Sequence, residues 1–181
     1  MTSKWRAASL TSYYAAPIPA SNINQFCCGN PEIDVFLHQS ADAPRIANIF
    51  LLQDHSELLG FFTLQNDSLE LSRKFRSSHS LKNLGINTYP AIVINFFAVA
   101  KQHQNTHIGF EMMVKLFELA LAQKFKLGSY TIICVESLKS TRAYYEQFGY
   151  SAISRPHSRD TVMLAITLDE VANIMQPWQN N

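Results

Sequence analysis

Between Pro90 and Ala100 the chain reads Ala-Ile-Val-Ile-Asn-Phe-Phe-Ala-Val, apolar at every position except Asn95. A strand with one wet face alternates polar and apolar residues, so an unbroken run of this kind predicts a strand covered on both sides. We place it, over residues 91–99, at the centre of a sheet. The 181 residues, 47% hydrophobic and 16% charged, suffice for one core and fall short of two ordinary domains. A single domain over residues 1–181 is the expectation.

The other elements arrange themselves around that strand. Asn30-Pro31-Glu32 combines a capping side chain, a proline suited to the first helical position and a carboxylate near the positive end of the dipole. It predicts a helix over 31–43 with Ile33, Phe36, Leu37 and Ala41 on one face, closed by Pro44. Residues 48–53 and 58–66 are apolar runs on either side of Asp54-His55-Ser56-Glu57, which reads as a β-hairpin. Over 70–89 the pattern is lost: Arg73, Lys74, Arg76 and Lys82 mix with serines, as in a loop or a short helix. The strongest helical signal is 109–126, where Glu111, Lys115 and Glu118 form a polar stripe opposite Phe110, Met113, Val114, Phe117, Leu121 and Phe125. Gly128 ends it. Residues 131–135 read as a second buried strand, 137–148 as a helix stopped by Gly149, and 161–168 as a closing strand before a short tail. This order describes an α/β fold, a mixed sheet with helices on its faces.

Net charge and cysteines narrow the classes of partner. A formal charge of +1 gives no support for a polyanionic ligand, in contrast to a dedicated nucleic-acid binder. Of the three cysteines, Cys27 and Cys28 are adjacent and Cys134 lies in an apolar strand, which argues against a disulfide framework and fits a reducing cytoplasm. Cys134 reads as a buried thiol, whereas Cys27 and Cys28 precede a helix, where thiolates are stabilised. Their spacing is not that of a zinc site, and His103 and His107 read as solvated loop histidines rather than metal ligands. No apolar stretch approaches the roughly 20 residues that cross a bilayer, so no membrane partner is expected.

Two windows carry chemistry. Gln104-Asn105-Thr106-His107-Ile108-Gly109-Phe110 joins the central strand to the long helix. Strand, turn and helix in that order present backbone amides and a positive dipole to phosphate. In the second window, Thr141 to Tyr150, Tyr144 and Phe148 share a packing face. Tyr145 lies about 100° around the helix, so its hydroxyl need not follow them into the core.

Together the windows resemble the GNAT acetyltransferases. That family opens the helix after the fourth strand with Gln or Arg, two variable residues, Gly, one residue, then Gly or Ala; Gln104 and Gly109 match its ends and His107 replaces the middle glycine. Tyr144-Tyr145-Glu146-Gln147-Phe148-Gly149-Tyr150 is similar to the aromatic pair and glycine of many bacterial members. Phe26-Cys27-Cys28-Gly29-Asn30-Pro31, followed by Phe36-Leu37 and by Gly60 to Asp67, resembles a bacterial subgroup with a Phe-x-Cys-Gly opening, which includes toxin acetyltransferases. The likeness covers residues 22–168.

The resemblance implies a mostly antiparallel sheet with helices on both faces, and acetyl-coenzyme A (acetyl-CoA) as cosubstrate. It assigns the backbone of Phe97, Ala98 and Val99 to the thioester, and Gln104, Asn105, Thr106, His107, Ile108, Gly109 and Phe110 to the pyrophosphate. Ser140 is a further cofactor contact. Tyr145 takes the place of the general acid that protonates the leaving thiolate. Glu136, with Asp67 behind it, is the candidate base. The implied reaction is direct attack of a primary amine on the thioester in a cytoplasmic enzyme. A toxin-type enzyme acetylating aminoacyl-tRNA, with residues 73–82 as its basic segment, and a non-catalytic acyl-CoA binder are the alternatives. The acceptor is unnamed, and the phenylalanines leave a homodimer open.

Overall fold

A computed structural model describes residues 6–9, 20–40, 48–54, 57–81, 85–123, 130–153 and 160–179. Its strands are β1 (Arg6–Ser9), β2 (Asn48–Asp54), β3 (Glu57–Glu70), β4 (Thr88–Val99), β5 (Ile132–Leu138), β6 (Ser151–Ala152) and β7 (Thr161–Thr167). Its helices are α1 (Ala20–Asn24), α2 (Pro31–Ser40), α3 (Arg73–Ser78), α4 (Ile108–Gln123), α5 (Arg142–Glu146) and α6 (Leu168–Gln179). The sheet order β1-β2-β3-β4-β5-β7-β6 puts the apolar strand in the middle. Strand β4 pairs in parallel with β5, Ala91–Ile94 against Ile132–Val135, and a parallel pair needs a crossover such as α4. The pairs β1–β2, β2–β3, β5–β7 and β6–β7 are antiparallel, so the sheet is mixed and mostly antiparallel.

The chain groups into two compact units, residues 1–65 with 95–116, and residues 66–94 with 117–181. In the first, Asn30 starts α2 as its sequence requires: its Oδ1 accepts from the Glu32 amide at 3.0 Å and its carbonyl from the Asp34 amide at 3.0 Å. Leu37 of α2 is buried in one cluster with Ile23, Phe26, Leu51, Phe61 and Ala98. Phe36 stacks on Phe96 with centroids 4.1 Å apart, and Phe26 meets Phe61 edge-on at 5.4 Å. Gly60 precedes Phe61 and faces the other way, where a Cβ would lie 2.6 Å from Met112 Sδ of α4. Helices therefore cover both faces of β3.

In the second unit, Ser72 Oγ accepts from the Phe75 amide at 3.2 Å and caps α3. That fixes Phe75 in a cluster with Leu71, Tyr89, Ile132, Cys134 and Ala165. On the opposite face, Ile166 of β7 and Ile174 of α6 close around Gly149, each 3.3 Å from where a Cβ would stand. Gly149 has φ +89°, so conformation and space both demand glycine after α5. Thr167 and Glu170 start α6 with a capping box: the Glu170 amide donates to Thr167 Oγ1 at 3.2 Å and the Thr167 amide to Glu170 Oε2 at 2.9 Å.

Several expectations need correction. Ser137 and Leu138 do not open a helix; they extend β5, paired with Val162 and Thr161, and α5 is confined to Arg142–Glu146 after a 3-10 turn at Lys139–Thr141. The short tail after the closing strand is instead the helix α6. The segment 70–89, read as a loop or a short helix, does hold the short helix α3 between the ends of β3 and β4. On α4 the buried residues are Ile108, Met112, Met113, Leu116, Phe117 and Ala120, while Phe110 is 42% exposed. Pro44 and Gly128 as helix stops, and Lys82 and Phe125, lie outside the described residues. Among the described residues, no helix is long and apolar enough to cross a membrane.

Candidate functional site

The loop between β4 and α4 lies in the first unit, and its shape is set by contacts to distant backbone. Lys101–His103 form one 3-10 turn. The Lys101 amide donates to the Cys27 carbonyl at 2.8 Å, and Gln104 Nε2 donates to the carbonyls of Cys28 at 2.7 Å and Val99 at 3.0 Å. Gln104 thus ties the end of β4 to the segment before α2. Asn105 adopts φ +60°, a left-handed conformation that asparagine tolerates. Thr106 Oγ1 donates to the His103 carbonyl at 2.6 Å and accepts from the Ile108 amide at 3.3 Å. The His107 carbonyl accepts the Glu111 amide at 3.0 Å, so His107 is the residue at which α4 begins.

The positive φ in the turn belongs to Asn105, and His107 has none. Its imidazole is 78% exposed, with Nε2 3.7 Å from Glu111 Oε1 one helical turn on, so it lies along the helix surface. Amides in the first turn of α4 point toward its N-terminal end, where the dipole is positive, and that of Ile108 is taken by Thr106 Oγ1. His103, read above as merely solvated, has a partner: its Nε2 lies 2.7 Å from Glu57 Oε1, which also accepts from Gln102 Nε2 at 2.7 Å. Those two bonds, His103 first, hold the Glu57 carboxyl below its ordinary pKa.

At the end of β4, Ala98 is buried while Phe97 and Val99 are partly so. The Phe96 amide donates at 3.0 Å to the hydroxyl of Thr63, a fully buried polar side chain that the sequence reading missed. The signal was there, a lone threonine in the apolar stretch from Leu58 to Leu64. Removing the Gln104 carboxamide deletes two bonds that define the loop. We expect Gln104→Ala to cost about 1–3 kcal/mol in unfolding free energy and to raise KM for the acyl donor more than it lowers kcat. Steady-state kinetics beside a denaturation curve check both.

The second unit holds the remaining candidates. Tyr145 is buried, 6% exposed, at the end of α5, packed edge-on against Tyr144 at 5.1 Å and Tyr150 at 5.7 Å. Its ring therefore enters the core, and Tyr144 is the more exposed of the pair, contrary to the helical-face argument. Burial pushes the Tyr145 phenol well above its usual 10. Glu136 is exposed on β5 and accepts from Thr161 Oγ1 at 2.7 Å. Ser140 is exposed in the 3-10 turn, and Asp67 is exposed on β3, accepting from the Ser68 amide. Neither Cys28 nor Cys134 is activated. Burial raises Cys28 to about 11 despite its place before a helix, and Cys134 to about 12.

The family model described as the acetyltransferase (GNAT) family matches residues 20–150. The chain belongs to the GNAT acetyltransferase family. The matched span begins with α1 and ends just past Gly149, so both windows fall inside it. No curated protein matches this sequence. Among solved structures, the GNAT chain is similar to a bacterial toxin at TM-score 0.77 and 19% identity, covering 95% of each chain. It is similar to AtaT complexed with acetyl-methionyl-tRNAfMet at TM-score 0.73 and 14% identity, over 96% of this chain and 100% of that one. A Tyr→Phe mutant of the AtaT toxin bound to the C-terminus of the antitoxin AtaR and acetyl-CoA matches at TM-score 0.69 and 14% identity, over 95% and 98%.

Proposed function

We propose that this GNAT protein transfers an acetyl group from acetyl-CoA to the α-amino group of an aminoacyl-tRNA. One observation carries the choice of acceptor: the fold is shared, over nearly the whole of both chains, with AtaT in complex with acetyl-methionyl-tRNAfMet. The Phe26-Cys27-Cys28-Gly29 opening, similar to that of toxin acetyltransferases, supports the same choice, as do the exposed Arg73 and Lys74 on α3. Those two cations suit phosphate contacts that position an RNA without reading its sequence.

The loop from Gln104 to Phe110 holds the donor's pyrophosphate on the start of α4, and the backbone of Phe97 to Val99 orients its thioester. The amine attacks the thioester carbonyl directly, so positioning supplies much of the acceleration. An α-amino group has an ordinary pKa of about 7.7–8.0, and a useful fraction is already neutral near pH 7. Glu136 receives the remaining proton through water. Tyr145 gives its proton to the departing sulfur.

The test is calorimetric titration with acetyl-CoA, then transfer of radiolabelled acetyl to aminoacyl-tRNA, to deacylated tRNA and to a panel of small amines. We expect saturable binding, and label on aminoacyl-tRNA but not on its deacylated form. Label confined to small amines would replace the tRNA reading, and binding without transfer to any acceptor would make the protein an acyl-CoA binder. Because the His107 side chain lies on the surface of α4, His107→Gly should leave the affinity for acetyl-CoA within about threefold, given that exposed contacts are worth little.

A further inference from the structure

The second unit also contains a hydrogen-bonded serine, histidine and glutamate that acetyl transfer does not use. Ser151 lies in β6, His79 follows α3, and Glu170 belongs to the first turn of α6. Ser151 Oγ is 2.8 Å from His79 Nε2, and His79 Nδ1 is 2.7 Å from Glu170 Oε1. The second carboxylate oxygen, Oε2, accepts from the Thr167 amide at 2.9 Å and the Thr167 hydroxyl at 2.7 Å.

Each contact fixes the next. Burial raises the Glu170 carboxyl, but the Thr167 bonds and His79 outweigh it and hold the group below its usual range. An ionised carboxylate can only accept, so Nδ1 carries a proton, and in the neutral ring Nε2 presents its lone pair to the serine hydroxyl. The ring is stacked on Phe75 with centroids 4.0 Å apart, and the His79 side chain is 13% exposed, so its plane is set and little water reaches it. Ser151 is partly exposed.

The strand adds a donor. Strand β6 ends the sheet order, beyond β7. The Ile153 amide bonds the Met163 carbonyl at 3.2 Å, and the register Ser151↔Ala165, Ala152↔Leu164 continues that pairing. Antiparallel residues alternate between facing the partner strand and facing away. The Ala152 amide therefore points away from β7, one residue after the serine.

We propose that Ser151, His79 and Glu170 form a serine-nucleophile site that hydrolyses small acyl esters. Ser151 Oγ bonds to the ester carbonyl carbon while its proton passes to His79 Nε2. The carbonyl oxygen becomes an oxyanion held by the Ala152 amide. Collapse breaks the bond to the alcohol oxygen, which takes the proton from His79, and an acyl-serine remains. Water then attacks the acyl carbon, loses a proton to Nε2 and releases the carboxylic acid, with the proton returned to Ser151. The net change is ester plus water to acid plus alcohol. Glu170 holds the imidazole in the tautomer and orientation that both steps need.

A tagged fluorophosphonate, incubated with the full chain and mapped by peptide mass spectrometry, tests this. We expect one phosphonyl adduct, on Ser151, formed about 10²-fold or more slowly in His79→Gln. Hydrolysis of p-nitrophenyl acetate should be lost in Ser151→Ala. Circular dichroism of each variant separates a lost fold from a lost nucleophile. A folded natural protein with no adduct on Ser151 would overturn the proposal and leave the trio as a tie between α3, β6 and α6. An adduct formed equally fast in folded His79→Gln would overturn it as well.

Discussion

Tyr145→Phe is expected to slow acetyl transfer about 10²–10⁴-fold while the protein keeps its fold. The substitution deletes one oxygen and leaves the ring that packs against Tyr144 and Tyr150. Burial holds the phenol's pKa above the ordinary 10. It stays protonated throughout the working range and can give its proton to a thiolate. The sign matters for the pH profile: a raised pKa keeps the acid form available as pH rises, so Tyr145 should cause no loss of rate between about pH 6 and 9. Single-turnover rates of the natural and Phe forms, with a thermal melt of each, decide the matter. Equal rates would remove Tyr145 from the mechanism, and a collapsed melting curve would call for Tyr145→Trp as a second probe of packing alone.

The other large effect concerns stability. Gly60→Ala should destabilise the protein by about 1–3 kcal/mol, read from denaturant unfolding. A Cβ at residue 60 would stand 2.6 Å from Met112 Sδ and 2.7 Å from the Ala98 carbonyl oxygen. The methionine can move aside, since its side chain is flexible. The carbonyl cannot, because it belongs to β4, whose end is fixed when the Ala100 amide bonds the Leu59 carbonyl at 2.8 Å. Ala98 and Val99 precede the loop proposed to hold the donor's pyrophosphate, so on that reading KM for acetyl-CoA should rise as stability falls. Gly85→Ala serves as a comparison, for nothing lies within 4 Å of its Cβ and its cost is confined to a φ of +73°. A Gly60→Ala variant as stable as the natural protein would show that β3 and β4 can part there without penalty.

Much of the architecture was legible because burial on both faces leaves an unmistakable run, as between Pro90 and Ala100, and because Asn30, Pro31 and Gly149 act locally. The misread elements are those that tertiary contacts decide. Ser137 and Leu138 have no strand preference of their own; they continue β5 because Val162 and Thr161 wait opposite. Tyr144 and Phe148 do pack together, with centroids 5.3 Å apart; Tyr145 was misjudged because α5 ends at Glu146 and the chain turns at Gly149, which brings Tyr150 against its ring. The capping box Thr167-Leu168-Asp169-Glu170 was a readable signal for α6 that went unread. Of the candidate site, the windows themselves were visible. Their bracing was not, since Gln104 meets a carbonyl 76 residues earlier in the chain.

That brace sets an order of events. Cys27 and Cys28 contribute carbonyls to it, not thiols, while the Cys28 side chain packs against the buried cluster of the first unit. A contact across so much sequence closes late in folding, because the entropy of loop closure must be met first. The loop proposed to hold the donor then takes shape only when the segment around Cys27 and Cys28 has docked. A partly unfolded chain would carry every residue of that loop without its bracing, so on the proposed function donor binding reads out completed folding.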